Sequence, residues 1–247
     1  MFFGLMSNSP RASPLRLPIF SAGAMAFFGQ DCLLCTGASE RSIVCAACEH
    51  ALARPSAGCA ICAVALPQPG LCGECQRRAP AYDAALAAFD YRFPLDRLVQ
   101  RFKFSGDLAV GRWLARRLLE RVRAEPRPDL IVVPPLARGR LRKRGFNQAL
   151  VVGNVIGRAL GVRCARGALT KLRDTAPQPG LGWRERRANL RNAFRCDAAF
   201  SGERIALVDD VMTTGATADT LARLLKRAGA GRVDVWAVAR TPDPAGR

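Results

Sequence analysis

Between Ile205 and Thr217 the chain reads Ile-Ala-Leu-Val-Asp-Asp-Val-Met-Thr-Thr-Gly-Ala-Thr. A short apolar strand runs into two adjacent carboxylates, Asp209 and Asp210, and then into a Thr/Gly turn that opens a helix. Such a turn offers backbone N–H groups, hydroxyls and the positive end of the helix dipole to an anion. Gly215 lets the backbone approach that anion closely because it has no Cβ. Two carboxylates would repel a bare phosphate, but they accept hydrogen bonds from the vicinal hydroxyls of a sugar phosphate. Asp209 and Asp210 are therefore candidates for holding a sugar, and Thr213, Thr214, Gly215, Ala216 and Thr217 for holding its phosphate. The competing reading is structural: the acids cap the turn and Thr214 is a helix N-cap.

A second chemistry lies near the amino end. Eight of the ten cysteines form four C-x-x-C knuckles, Cys32/Cys35, Cys45/Cys48, Cys59/Cys62 and Cys72/Cys75, separated by nine, ten and nine residues. One knuckle lets two thiolates reach one metal ion, and tetrahedral zinc takes two knuckles. Four knuckles predict two structural zinc sites, with every ligand position filled by the protein. A disulfide framework is the alternative that an even cysteine count allows. Pairing is either sequential (first with second, third with fourth) or interleaved. Two bound zinc ions would lower the formal charge by about four. Cys164 and Cys196 stand alone and read as small apolar residues.

These residues need a scaffold. The 247 residues suit one large domain, or a main domain with a small one. We expect a leader or a misplaced start over 1–29, with Met25 a plausible start, then the cysteine-rich segment over 30–78 and the main domain over 79–247. Ala84–Phe93 reads as a strand or hairpin, and Leu95–Phe104 and Leu108–Val122 as helices. In the second helix Gly111, Leu114, Ala115, Leu118 and Val122 share one face. From Asp129 apolar strands alternate with helices: Leu130–Val133, a helix Phe146–Leu160, Ile205–Val208, a helix Ala216–Ala228, and Val233–Ala239. That alternation predicts an α/β fold with a parallel sheet, its ligands outside the carboxyl ends of the strands. Gly153, Gly157 and Gly161 should let their helix approach the sheet.

The net charge is +18, and 34 of the 38 basic residues are arginines. Such a field attracts phosphates, free or along a nucleic-acid strand. Arg138, Arg140, Arg142, Lys143 and Arg144 place five cations in seven positions. They could neutralise a pyrophosphate, track a single-stranded backbone with Phe146 stacking beside it, or form a solvated loop. The single histidine, His50, argues against a Ser–His–Asp triad, and no P-loop signature is present. No apolar run reaches the length of a membrane helix, so we expect no membrane insertion and a cytoplasmic location.

The acid pair followed by Thr-Thr-Gly-Ala-Thr resembles the 5-phosphoribosyl-1-pyrophosphate (PRPP) motif of type I phosphoribosyltransferases. The resemblance implies that Asp209 and Asp210, the catalytic acids, hold the ribose 2′ and 3′ hydroxyls. It implies further that residues 213–217 hold the 5′-phosphate, and that magnesium accompanies PRPP. Lys103-Phe104-Ser105-Gly106-Asp107, Val133-Pro134-Pro135-Leu136 and Arg142-Lys143-Arg144-Gly145-Phe146-Asn147-Gln148 narrow the match to the ComF/GntX family. Thr175, Gln178, Arg187, Asn189 and Ala193-Phe194 fit that family's middle loop, and the four knuckles fit its double zinc ribbon. Pro177, Pro179 and Gly180 make this loop richer in turn formers than the family pattern.

Membership implies a type I phosphoribosyltransferase-like domain carrying an amino-terminal zinc ribbon. It implies handling of incoming single-stranded DNA together with other competence proteins. Arg138, Arg142 and Arg144 would then contact pyrophosphate or nucleic acid. The alternative is an active enzyme of nucleotide metabolism that transfers ribose 5-phosphate from PRPP to an acceptor, with the loop Leu169–Phe194 closing over the site.

Overall fold

The computed structural model describes residues 30–40, 42–55, 57–173, 190 and 192–242. The leader and most of the middle loop, including Thr175, Gln178, Arg184, Arg186, Arg187, Asn189 and Arg191, lie outside the described residues. The cysteine-rich segment holds a small antiparallel pair, β1 (Gln30–Asp31) with β2 (Ala38–Ser39), and two short helices, α1 (Ala46–Ala51) and α2 (Gly73–Arg77). Then come β3 (Ala84–Asp90), α3 (Leu95–Phe104), α4 (Leu108–Val122), β4 (Leu130–Val132), α5 (Arg138–Arg144), α6 (Gln148–Leu160) and β5 (Cys164–Ala165). The chain continues through β6 (Leu169–Lys171), β7 (Phe194–Cys196), β8 (Arg204–Met212), α7 (Ala216–Arg227) and β9 (Arg232–Arg240).

Five strands form one wholly parallel sheet in the order β3-β9-β8-β4-β5. Period-two alternation divides their residues between two cores. Phe89, Ile131, Val208 and Trp236 pack with Leu98 and Phe102 of α3, Leu114 and Leu118 of α4, and Val152 and Ile156 of α6. Leu130, Val132, Ile205, Leu207 and Val235 face the other way, against Leu221 and Leu225 of α7. From β4 the chain winds outward through α6 to β5; from β8 it winds the opposite way through α7 to β9. The carboxyl ends of β4 and β8 therefore flank the point where the winding reverses, which is where such sheets open a crevice.

Most expected elements are present, with informative departures. The predicted face of α4 is buried throughout, while Arg112, Arg116, Arg121 and Arg123 are exposed. Gly153 does allow close approach to the sheet, since a Cβ there would stand 3.0 Å from Val133 Cγ1 and 3.2 Å from Cys164 Sγ of β5, while at Gly157 it would stand 2.6 Å from the Val162 carbonyl oxygen in the turn after α6. Gly161 instead ends α6 in a left-handed conformation, with φ of 64°. Strand β8 continues through the two acids to Met212, four residues beyond the apolar run, because β9 pairs with it as far as Arg240. The basic stretch Arg138–Arg144 is a short helix and not a loop, and the ends of the middle loop pair as β6 and β7. No helix among the described residues is long and apolar enough to cross a membrane.

Candidate functional site

The acid pair and the Thr/Gly turn meet at the carboxyl end of β8, the central strand. Residues 81–83 run along α7, holding its first turn at this end and its last turn at the amino end of the sheet. The Ala81 N–H donates to Asp219 Oδ1 of α7 at 2.8 Å, and Asp83 accepts from Lys226 Nζ at 2.7 Å and from the Val233 N–H at 2.8 Å. Helix α7 is thereby fixed against the sheet, and its first turn points its N–H groups at the turn from Thr213 to Gly215. Gly215 takes φ of +77°, and a Cβ there would lie 2.9 Å from Met212 Cε and 3.2 Å from the Tyr82 hydroxyl oxygen. Only glycine meets both demands. Thr214 is not the N-cap; Gly215 holds that position, and Thr214 Oγ1 accepts from the Ala216 N–H at 3.4 Å.

Asp209 and Asp210 are both partly accessible, and each folds one oxygen back onto the following amide: Asp210 N–H to Asp209 at 2.8 Å and Val211 N–H to Asp210 at 2.7 Å. Desolvation by the surrounding protein, joined by the negative charge of Asp210, holds the Asp209 carboxyl well above the usual carboxylate range. Lys103 Nζ, at the end of α3, reaches Asp210 Oδ2 at 3.1 Å. Lys103 joins the candidate site through this ion pair although composition did not single it out; its one signal is its place in the Lys-Phe-Ser-Gly-Asp element. In the same element Asp107 is structural: it caps α4 through the Ala109 and Val110 amides and accepts from Arg101 at 2.7 Å.

The Arg-rich signature after β4 has a divided role. Gly145 ends α5 in a left-handed turn, and Asn147 caps α6 while its amide donates to the Pro134 carbonyl at 2.9 Å. Phe146 is half-buried against Phe102, with ring centroids 5.5 Å apart, so the ring expected to stack on a ligand is packed inward. Phe104 takes that exposed position instead. It is 66% accessible, and the Arg144 guanidinium lies 5.4 Å over its ring. Arg144 also donates to Gln148 Oε1 at 3.2 Å. Arg138 and Arg142 are exposed on α5, and neither forms an ion pair among the described residues. Arg144 contacts Phe104, the chain neighbour of Lys103, but none of Arg138, Arg142 and Arg144 touches the acid pair in any contact among the described residues.

The knuckles pair sequentially. Cys32, Cys35, Cys45 and Cys48 form one set and Cys59, Cys62, Cys72 and Cys75 the other, with the sulfurs of each set within 4.8 Å of one another. Cys35 and Cys45 sulfurs are 3.8 Å apart, and those of Cys62 and Cys72 are 3.6 Å apart. Zn–S bonds of about 2.3 Å place tetrahedral thiolates about 3.8 Å apart, whereas a disulfide needs about 2.05 Å. Both sets could hold zinc. Each also contains a thiol prepared for ionisation. In the first, burial pushes Cys32 up, but the amides of Cys45, Cys35 and Leu34 bring it down to about 6. In the second, the hydrogen bond with Cys75 and the Arg240 guanidinium lower Cys62 to about 5, against the opposing effect of burial.

A five-stranded parallel sheet with an acid pair and a Thr-Thr-Gly-Ala-Thr turn at the end of its central strand is a type I phosphoribosyltransferase-like fold. No family model matches the chain. Among curated proteins it is 36% identical to the DNA utilization protein YhgH of Salmonella typhi over 205 residues, 80% of this chain and 90% of that one. It is 33% identical to competence protein F of Haemophilus influenzae over 228 residues, 87% of this chain and 99% of that one. The chain belongs to the ComF family. Among solved structures, glutamine PRPP amidotransferase from B. subtilis aligns over 57% of this chain and 30% of that one, with 19% identity and a TM-score of 0.38.

Proposed function

We propose that this chain binds PRPP with magnesium at the carboxyl end of β8 and acts in the uptake or utilisation of DNA. One observation carries the first half: the pair Asp209–Asp210 stands beside a turn that only a glycine at 215 can make, at the reversal point of the sheet. Asp209 and Asp210 accept hydrogen bonds from the ribose 2′ and 3′ hydroxyls, and Thr213, Thr214, Gly215, Ala216 and Thr217 surround the 5′-phosphate. Lys103 holds the Asp210 carboxylate in place and adds a cation at the mouth. Magnesium, when bound with PRPP, offsets the pyrophosphate charge.

For the second half, the relatives named for DNA utilization and competence supply the context. Arg138, Arg142 and Arg144 offer cations to a single-stranded backbone, and exposed Phe104 offers a ring for a base to stack on. Zinc fills both cysteine sets and stabilises a small unit over 30–78 that supports the domain over 79–247. The protein works in the cytoplasm, where thiols stay reduced and competence proteins are its partners. A second reading keeps the same site as an active phosphoribosyltransferase, favoured by the completeness of the donor residues.

Calorimetric titration of PRPP into zinc-loaded protein, with and without magnesium, tests the proposal. Magnesium-dependent binding is expected. Absence of binding by a folded, zinc-loaded protein would overturn it. Release of pyrophosphate in the presence of a base or other acceptor would move the assignment to the enzyme.

A further inference from the structure

We infer that Arg240 joins the second cysteine set to the anion turn, so that metal held by Cys59, Cys62, Cys72 and Cys75 governs how well residues 213–217 bind a phosphate. This inference rests on the reading of that turn given above.

Arg240 is the last residue of β9 and is 7% accessible. Its guanidinium faces two ways. Nε donates to the Cys62 carbonyl at 3.0 Å, inside the second knuckle set. Nη1 donates to the carbonyls of Met212 at 3.3 Å, of Thr241 at 2.9 Å, and of Thr213. One rigid, planar group therefore fixes a metal-binding loop and the first residue of the anion turn at once. Among the described residues no carboxylate forms an ion pair with it. A buried guanidinium requires a counter-charge. Four thiolates around one zinc carry a net charge of about −2 and supply it.

Tyr82 makes a second strut. It is buried in the core that contains Cys62 and Cys75, and its hydroxyl limits the space over Gly215. The first set is built differently. Its segment reaches the opposite core, through Ser42 to Trp113 Nε1 at 3.1 Å and Glu49 to Arg117 at 3.1 Å, and it touches no residue of the turn among those described. The two cysteine sets thus have unequal duties: the first fastens α4, the second sets the turn.

The test compares three proteins: wild type, Arg240→Met, and the double variant Cys45→Ser/Cys48→Ser. For each, bound zinc is counted by native mass spectrometry, amide hydrogen exchange is followed at residues 213–217, and PRPP is titrated with magnesium. Arg240→Met should keep both zinc ions, exchange faster across the turn and bind PRPP about tenfold more weakly, the loss of a buried charged hydrogen-bond network. Arg240→Lys should restore part of the protection and affinity. The double variant should lose one zinc and leave both readouts at the turn near wild type.

Wild-type exchange and affinity in Arg240→Met would overturn the inference, as would equal loosening of the turn when either zinc is lost. Should Arg240→Met fail to fold, stepwise chelation of wild-type protein with exchange read at the turn decides the matter. Protection must fall with the second zinc and not with the first. If wild-type protein binds no PRPP, the functional reading fails while the exchange readout still judges the coupling.

Discussion

Lys103 Nζ sits 3.1 Å from Asp210 Oδ2, joining the end of α3 to the end of the central strand. Both side chains are mostly shielded, at 18% and 16% exposure, so neither charge is easily replaced by water if the other is lost. A partly buried pair of this kind contributes more through the cost of breaking it than through its attraction. Lys103→Met should retain both zinc ions and bind PRPP on the order of tenfold more weakly. Unchanged affinity by calorimetry would remove Lys103 from the site.

Asp209→Asn keeps shape and removes a carboxylate oxygen proposed to accept from the ribose hydroxyls. We expect PRPP affinity to fall below detection while zinc stoichiometry stays the same, because the cysteine sets make no contact with Asp209 among the described residues. Retained affinity in a folded Asp209→Asn protein would contradict the site assignment.

The same residue sets a pH dependence. Burial and the Asp210 charge raise Asp209 well above the ordinary 3.8. The folded protein then holds a proton that the unfolded chain releases, so this group makes stability fall as pH rises from the ordinary value through the raised one. Denaturant melts across that window should show this fall, and Asp209→Asn should flatten it. An unchanged slope would show that Asp209 titrates normally.

Gly215→Ala tests the turn directly. The left-handed φ of +77° and the 2.9 Å approach of Met212 Cε both penalise a methyl group. A loss of about 1–3 kcal/mol in unfolding free energy is expected, together with loss of phosphate binding. A variant as stable as wild type would mean that the turn relaxes at little cost.

Cys32→Ser/Cys35→Ser should remove one zinc of two and lower the melting temperature, since the cysteine-rich segment has few large apolar residues of its own to fold around. Purified protein that contains no zinc and has all eight thiols oxidised would refute both metal sites.

The acid pair and its turn were legible in the sequence because the chemistry is local: thirteen consecutive residues, Ile205–Thr217, contain strand, acids, glycine and helix start. The parallel sheet was legible from short apolar runs spaced by helices. Knuckle pairing was not, because spacings of nine, ten and nine residues suit either arrangement and only the chain path chooses. Helix α5 was hidden because seven residues with five cations have no apolar periodicity. The last four residues of β8 were hidden because their strand character comes from pairing with β9, not from their own side chains. The inward turn of Phe146 was hidden because it depends on packing against Phe102 of α3, more than forty residues earlier in the chain. Arg240 carries no local motif at all; its partners are distant in the chain.

The cysteine-rich segment also does something for the sheet as a whole. Strand β3 is an edge strand, and its run Ala84–Phe89 carries no charge. The Asp90 N–H at its end donates to the Ala53 carbonyl at 2.9 Å, in the stretch that joins the two knuckle sets, one of which packs in each of the two cores flanking the sheet. That bond occupies the end of a strand edge that would otherwise offer a free N–H to a passing chain. If zinc holds this segment together, stripping it should free that end of β3, and the first sign in the test tube would be turbidity from β3 edges pairing between molecules, ahead of any loss of helix signal.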